Sequence, residues 1–151
     1  MALASELSRR GYRTDLATDQ RAKRYEGDFP AENIHIVASD TIRSRNPLSL
    51  AKTAFALSKG FLSSYRLIGR LRPSIVVGFG GYPILPPVFA AALRKVPVCL
   101  HEQNAVMGRA NRTMAKYATA IALSIPETRF VDDTLKAKSH VTGNPVRPAV
   151  I

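Results

Sequence analysis

The stretch from residue 74 to residue 104, SIVVGFGGYPILPPVFAAALRKVPVCLHEQN, decides the fold. It begins with a short apolar strand at 74–77 and passes through a glycine-rich turn into a helical segment at 86–95. It then returns through a second apolar run at 96–100. Strands that are apolar throughout and alternate with helices are typical of a parallel sheet covered on both faces. The stretch therefore predicts an α/β fold.

The same alternation extends to both sides of this stretch. Further helices are predicted at residues 2–10, 48–71 and 108–117, and further strands at residues 12–17, 33–38, 119–124 and 140–142. We find no linker and no internal repeat, so the 151 residues are expected to form one α/β domain. The chain opens inside a helix with no strand before it, which predicts a sheet that lacks its first strand.

The composition narrows the class of partner. The chain carries 22 Lys and Arg against 11 Asp and Glu, a formal charge of +11, which predicts an anionic partner. Nucleic acid is an alternative anionic partner, but it is not the expected one, because no RNP-like, KH or zinc motif is present. The single cysteine, Cys99, excludes an internal disulfide. Residues 73–93 contain no charge, but their prolines and glycines are incompatible with a membrane span.

The predicted helix at 48–71 has an unusual charge pattern. No acidic residue occurs between Asp40 and Glu102, whereas nine bases do. One helix face, the basic–apolar face, combines bases spaced by seven with large apolar side chains: Lys52, Lys59 and Arg66 with Leu48, Phe55 and Leu62. This pattern is typical of a helix that lies on a membrane surface. The alternative is a solvated face with two apolar residues that reach the core. The sheet side is expected to carry Leu50, Ala54, Leu57, Phe61, Tyr65 and Ile68.

Two polar loops follow neighbouring predicted strands. The glycine turn, GFGGYP at 78–83, lets a backbone approach a ligand closely, and N–H groups at a helix start favour phosphate. The alternative is a turn that packs a helix tightly on a strand. The second loop, HEQN at 101–104, lies at a strand's carboxyl end, the edge where open α/β sheets bind ligands. The alternative for Glu102 or Asn104 is structural capping. His101 and Glu102 are expected to diverge, and no HExxH zinc motif is present.

Three motifs in order resemble one family. GFGGYP at 78–83, HEQNAVMGRANR at 101–112 and GNPVR at 143–147 are similar, in sequence and spacing, to the MurG family of N-acetylglucosaminyltransferases of bacterial peptidoglycan synthesis. The resemblance implies a GT-B fold made of two Rossmann-like halves. Residues 1–151 would be an incomplete N-terminal, acceptor-side half, without the C-terminal donor domain.

The resemblance also implies a reaction. Family members transfer N-acetylglucosamine from UDP-N-acetylglucosamine to lipid I with inversion, forming lipid II at the cytoplasmic face of the bacterial inner membrane. The implied partners are these two substrates and the anionic membrane surface; no cofactor and no metal are expected. The family's candidate catalytic base lies in a loop that would precede Met1. The catalytic residue is therefore unknown, and the 151 residues alone are expected to be inactive.

Residue roles follow from the matched motifs. Asn104 and Arg147 match positions that contact the UDP-sugar. The acceptor pyrophosphate would lie against Gly78, Gly80, Gly81 and Tyr82. The cleft would be lined by His101, Glu102 and Gln103. Membrane contact would be made by the basic–apolar face.

Two other functions stay open at this point. The chain would act as a non-catalytic module that binds polyprenyl-pyrophosphate lipid at the membrane surface, or as part of a GT-B enzyme with another lipid acceptor, such as diacylglycerol. HEQN together with GNPVR favours the peptidoglycan enzyme over the second of these.

Overall fold

The computed structural model describes residues 1–20, 29–39 and 46–146. The helices in this part of the chain are α1 (Ala2–Arg9), α2 (Pro47–Leu71), α3 (Leu85–Leu93), α4 (Arg109–Met114) and α5 (Asp133–Lys136). The strands are β1 (Asp15–Thr18), β2 (Asn33–Ile36), β3 (Val76–Gly78), β4 (Val98–Glu102), β5 (Ala120–Leu123) and β6 (Ser139–Val141). The predicted elements are all present with ends shifted by a few residues, and the α/β class is confirmed. Helix α5 was not predicted.

All strand pairs in the described residues are parallel, and they divide into two sheets. Strands β1 and β2 form a pair, and β3, β4, β5 and β6 form a second sheet in sequence order. In the larger sheet, Gly78 pairs with Leu100 and Glu102 pairs with Leu123. The strands of this sheet therefore end along one side, which we call the carboxyl edge.

The core lies between the larger sheet and α3. Leu100 and Ile121 on the central strands are fully buried, as are Ala90 and Ala91 of α3. Gly78 is also buried, and a Cβ atom there would come within 3.0 Å of the Leu100 side chain. A larger residue would push α3 away from the sheet. The structure thus gives Gly78 the packing role and corrects the expectation that it faces a ligand.

Helix α2 begins at Pro47, where the Asn46 side chain accepts a hydrogen bond from the Leu48 N–H. Its buried residues are mostly small: Thr53, Gly60, Ser64 and Ile68. A Cβ atom at Gly60 would collide with the Ala38 carbonyl, so the helix lies directly on the backbone that follows β2.

This close approach corrects part of the predicted sheet side of α2, in which only Ile68 is buried. Leu50, Ala54 and Tyr65 are exposed, because small residues, and not large ones, allow the helix to touch a backbone. Leu57 and Phe61 are half-buried. Residues 73–93 divide into β3, the glycine turn and α3 as predicted. None of the helices in the described residues is sufficiently long and apolar to cross a bilayer.

Candidate ligand site at the carboxyl edge

The three motifs meet at the carboxyl edge. The Gln103 side-chain amide follows β4 and donates to the Phe79 carbonyl of the glycine turn at 3.2 Å. The His101 ring donates from Nε2 to the carbonyl of Gly143, which follows β6, at 3.1 Å. Residues 24 and 42 positions apart in sequence are therefore joined by direct hydrogen bonds.

The glycine turn needs glycine at two of its positions. Gly80 and Gly81 have φ values of +80° and +76°, a left-handed backbone that other residues adopt only with strain. The turn continues through a short 3-10 turn, Tyr82–Ile84, before α3 begins. Pro86 and Pro87 in the first turn of α3 have no N–H group. The expectation that the helix start donates to phosphate is therefore corrected: the donors available here belong to the turn itself.

His101 was expected in a loop but belongs to β4. Its side chain is 5% exposed, and its ring lies 5.2 Å from the ring of Phe79. Nδ1 accepts from the Gln103 amide at 3.3 Å while Nε2 donates to Gly143. Because a carbonyl only accepts, Nε2 carries the hydrogen in this arrangement. Both ring nitrogens are therefore engaged inside the protein.

Glu102 is the last residue of β4 and is 2% exposed. Its Oε1 atom accepts from the backbone N–H and the side-chain amide of Asn104, both at 3.0 Å. Its Oε2 atom accepts from the Gly108 N–H at 2.9 Å and from the Asn111 amide at 2.8 Å. Burial by itself would raise the pKa of this carboxyl, but the hydrogen bonds together outweigh burial and lower the pKa. Glu102 is therefore ionised at neutral pH.

These contacts correct the expectation that Glu102 lines an open cleft. Successive side chains of a strand point to opposite faces, so His101 and Glu102 diverge as predicted, and Glu102 turns toward α4. Gly108 is the residue that precedes α4. The carboxylate thus caps the loop that leads into this helix, which is the alternative raised from the sequence.

The remaining predicted site residues differ in their placement. Asn104 is exposed, and Gln103 and Tyr82 are half-buried. Arg147 lies outside the described residues. Sequence reasoning missed Asn111, which is 1% exposed and donates to the His101 carbonyl as well as to Glu102. Its side chain also lies under Gly80, where a Cβ atom would approach its amide nitrogen to 3.4 Å. The sequence signal that could have identified Asn111 is its position near the start of a short helix.

A second surface is formed by α2, α3 and α4. Leu48, Phe55 and Leu62 are 67%, 73% and 53% exposed, so the alternative that they reach the core is wrong. Lys52, Lys59 and Arg66 are exposed beside them. Leu62 also borders an apolar groove of about 520 Å³, whose other lining residues are Leu57, Ser58, Phe61, Leu85, Pro86, Phe89, Thr113 and Met114.

A row of four aromatic rings runs beside this groove. Tyr65, Phe61, Phe89 and Tyr117 follow one another with ring centroids 5.8, 5.5 and 5.2 Å apart. The Arg94 guanidinium lies 3.8 Å from the Tyr65 ring and donates to the Tyr65 carbonyl, while Lys116 lies over Tyr117 at the other end. The row therefore presents apolar rings between two cations.

The described residues contain no group of three His, Cys, Asp or Glu side chains placed to hold a metal ion. Residues 1–123 match the N-terminal domain of glycosyltransferase family 28, and the chain belongs to this family.

Two of the relatives that it matches carry the same enzyme name. The chain is 55% identical over 151 residues to the UDP-N-acetylglucosamine–N-acetylmuramyl-(pentapeptide) pyrophosphoryl-undecaprenol N-acetylglucosamine transferase of Chelativorans sp., covering 99% of this chain and 40% of that protein. The transferase of the same name from Rhodopseudomonas palustris is 55% identical over 149 residues, covering 99% and 41%. The chain thus spans about 40% of the length of these relatives.

A solved structure is also similar. The crystal structure of MurG from Acinetobacter baumannii matches with a TM-score of 0.76 and 25% identity, over 96% of this chain and 41% of that chain. The resemblance drawn from the three sequence motifs is confirmed by these matches.

Proposed function

We propose that residues 1–151 form the acceptor-side, N-terminal part of an inverting N-acetylglucosaminyltransferase with a GT-B fold. The reaction is the transfer of N-acetylglucosamine from UDP-N-acetylglucosamine to the C4 hydroxyl of the muramoyl sugar of lipid I, which forms lipid II. The proposal depends mainly on one observation. Three motifs meet at one edge of a parallel sheet, in a chain whose relatives carry this transferase name.

The glycine turn is the proposed contact for the acceptor pyrophosphate. Gly80 and Gly81 hold successive N–H groups in left-handed conformations, and such turns form concave sites that favour anions. Tyr82 follows directly and is half-buried. Gly78 supports this contact only indirectly, because it packs under α3.

The donor sugar nucleotide is the proposed ligand of Asn104 and Arg147. Asn104 is exposed at the carboxyl edge, beside the Gln103 amide that joins the loop to the glycine turn. A cationic Arg147 would stabilise the departing UDP by charge, as transfer to a hydroxyl requires.

The same reaction needs a base for the acceptor hydroxyl. His101 has both ring nitrogens engaged, and the Glu102 carboxylate accepts hydrogen bonds on both oxygens. We therefore assign the base to neither residue.

The basic–apolar face of α2 is the proposed membrane contact. It combines exposed Leu48, Phe55 and Leu62 with three exposed bases, and the apolar groove continues from Leu62. Apolar side chains ringed by cations fit the surface of an anionic bilayer. The proposed location is thus the cytoplasmic face of the bacterial inner membrane, as a peripheral protein.

The test uses the full product of the gene that encodes this chain. It is incubated with radiolabelled UDP-N-acetylglucosamine and vesicles of anionic phospholipid that contain lipid I, and labelled lipid II is measured. Parallel reactions contain diacylglycerol as the acceptor, or UDP-glucose as the donor. We expect product only with lipid I and UDP-N-acetylglucosamine.

Other outcomes overturn the proposal. Transfer to diacylglycerol would assign the chain to an enzyme with another lipid acceptor. Binding of polyprenyl-pyrophosphate vesicles without any transfer would indicate a non-catalytic module.

A further inference from the structure

The Glu102 carboxylate has no part in the chemistry proposed above, yet it is the most heavily hydrogen-bonded side chain of the carboxyl edge. It accepts four hydrogen bonds of 2.8–3.0 Å from Asn104, Gly108 and Asn111. A buried charge is stable only when it is paired or fully hydrogen-bonded, and here the partners come from the loop and α4. The carboxylate thus fixes the whole segment from 104 to 111.

The two oxygens of the Glu102 carboxylate contact different residues of the segment 104–111. Oε1 accepts two hydrogen bonds from Asn104, one from its backbone N–H and one from its side-chain amide. Oε2 holds Gly108 and Asn111, and Asn111 lies under Gly80 of the glycine turn. One carboxylate therefore sets the position of the Asn104 amide and supports the neighbouring turn.

The hydrogen bond from the Asn104 side-chain nitrogen to Glu102 limits how Asn104 can contact a ligand. An Asn side chain offers two N–H donors and one carbonyl acceptor. Because the nitrogen donates one of its two hydrogens to Glu102, the side-chain amide is held in one orientation, and its Oδ1 atom is left to accept from a ligand. Such an oxygen accepts from a hydroxyl or an N–H group, both of which a sugar nucleotide carries.

We propose that Glu102 is a positioning residue that acts through Asn104: it holds the Asn104 amide so that Oδ1 accepts a hydrogen bond from the sugar nucleotide. The inference rests on the proposed function, in which Asn104 contacts the donor. Glu102 itself touches no substrate. Loss of the carboxylate should therefore weaken donor binding only while Asn104 is present.

Glu102→Gln is the sharpest substitution because it keeps the size of the side chain. Its amide has one acceptor oxygen, so its NH₂ group must face two N–H donors that the carboxylate now receives. Glu102→Asp is the milder second variant, which keeps the charge and shortens the reach. Glu127→Gln is the matched control, since Glu127 is an exposed acid in the next loop.

The experiment is a double-mutant cycle on the full gene product, with KM for UDP-N-acetylglucosamine and kcat measured separately. Because a small misplacement of a contact has a large effect, we expect Glu102→Gln and Asn104→Ala each to raise KM by roughly tenfold or more. In the Asn104→Ala background, Glu102→Gln should raise KM by less than about twofold, since both act on one contact. Glu102→Asp should give a smaller, equally non-additive effect, and Glu127→Gln none.

Independent, multiplying effects on KM would overturn the inference, as would an unchanged KM in Glu102→Gln. A role in folding alone would lower stability and leave the KM of the folded fraction unchanged.

Hydrogen exchange on the full gene product gives a second readout that needs no activity. The backbone N–H groups of Asn104 and Gly108 should lose protection in Glu102→Gln, while the backbone N–H groups of β4 and β5 keep theirs. Retained protection at both amides would overturn the positioning role. If the wild-type protein transfers no sugar but this loss of protection is observed, the proposed function is wrong, whereas the conclusion that Glu102 fixes the position of residues 104–111 is supported.

Discussion

The carboxyl edge and the basic–apolar face of α2 are built in opposite ways. At the edge, polar side chains are buried. Their hydrogen bonds join His101 to the backbone of residue 143, and join Asn111 to His101 and Glu102. On the basic–apolar face of α2, large apolar side chains are exposed among bases. The hydrogen bonds at the edge fix the positions of its side chains, whereas the face of α2 offers exposed apolar surface and positive charge. Substitutions at the edge should therefore change stability and shape, and those on α2 should change only surface binding.

The largest effect is expected on α2. Phe55→Asp combined with Lys59→Glu removes an exposed ring that would insert into the bilayer, adds one negative charge and reverses one positive charge, which should weaken binding to anionic vesicles by roughly 3–5 kcal/mol. Flotation with vesicles at several salt concentrations measures this binding. Tyr12→Asp with Arg13→Glu is the matched control, because it changes an exposed aromatic residue and a base elsewhere. Equal loss in both variants would mean that only net charge matters.

The next effect is expected at Asn111. Asn111→Leu removes two hydrogen bonds and leaves the Glu102 carboxylate and the His101 carbonyl short of a donor. The free energy of unfolding should fall by about 3 kcal/mol, measured by urea denaturation. Asn144→Leu changes the same residue type at an exposed position and should stay within about 0.5 kcal/mol of wild type. A similar small change at Asn111 would contradict the idea of a rigid edge.

A smaller effect separates backbone strain from packing. Gly80 and Gly11 have nearly the same φ, +80° and +82°, but only Gly80 has a neighbour, since a Cβ atom there meets Asn111. Both alanine variants should lose about 1–2 kcal/mol from the left-handed backbone. Gly80→Ala should lose more, and the difference between the two measures the contact with Asn111. Equal losses would show that Asn111 moves aside freely.

The smallest effect concerns pH. The hydrogen bonds to Glu102 outweigh its burial and hold its pKa below the usual value of about 4.3. The unfolded chain then binds the proton first as pH falls, so stability present above about pH 4.3 is lost on acidification. Wild-type protein should therefore lose stability more steeply below this pH than Glu102→Gln, in urea titrations at a series of pH values. Parallel slopes would contradict an ionised, hydrogen-bonded Glu102.

The sequence predicts the elements of this fold well, because apolar strands and the seven-residue spacing on α2 are local patterns. It also predicts that the glycine turn and HEQN share one edge, since β3 and β4 are neighbouring parallel strands. The prediction that β4 ends at residue 100 is wrong, because the groups that make burial of His101 and Glu102 favourable come from residue 143 and from α4.

The side of α2 that packs on the protein was predicted only in part, since Ile68 is buried and Phe61 packs against the core, whereas Leu50, Ala54 and Tyr65 are exposed. A hydrophobic pattern identifies large residues, whereas contact with a backbone requires small ones, as at Gly60. Such a contact depends on the path of the chain after β2, which no local pattern contains.

The row of four rings beside the groove has an optical consequence. The chain contains no tryptophan, so its emission comes from tyrosine, and Tyr65 and Tyr117 stand at the two ends of the row. Phe89, in the middle of the row, borders the groove. Tryptophan placed there by Phe89→Trp would be the single indole of the chain, and its emission colour would report directly whether water or lipid fills the groove.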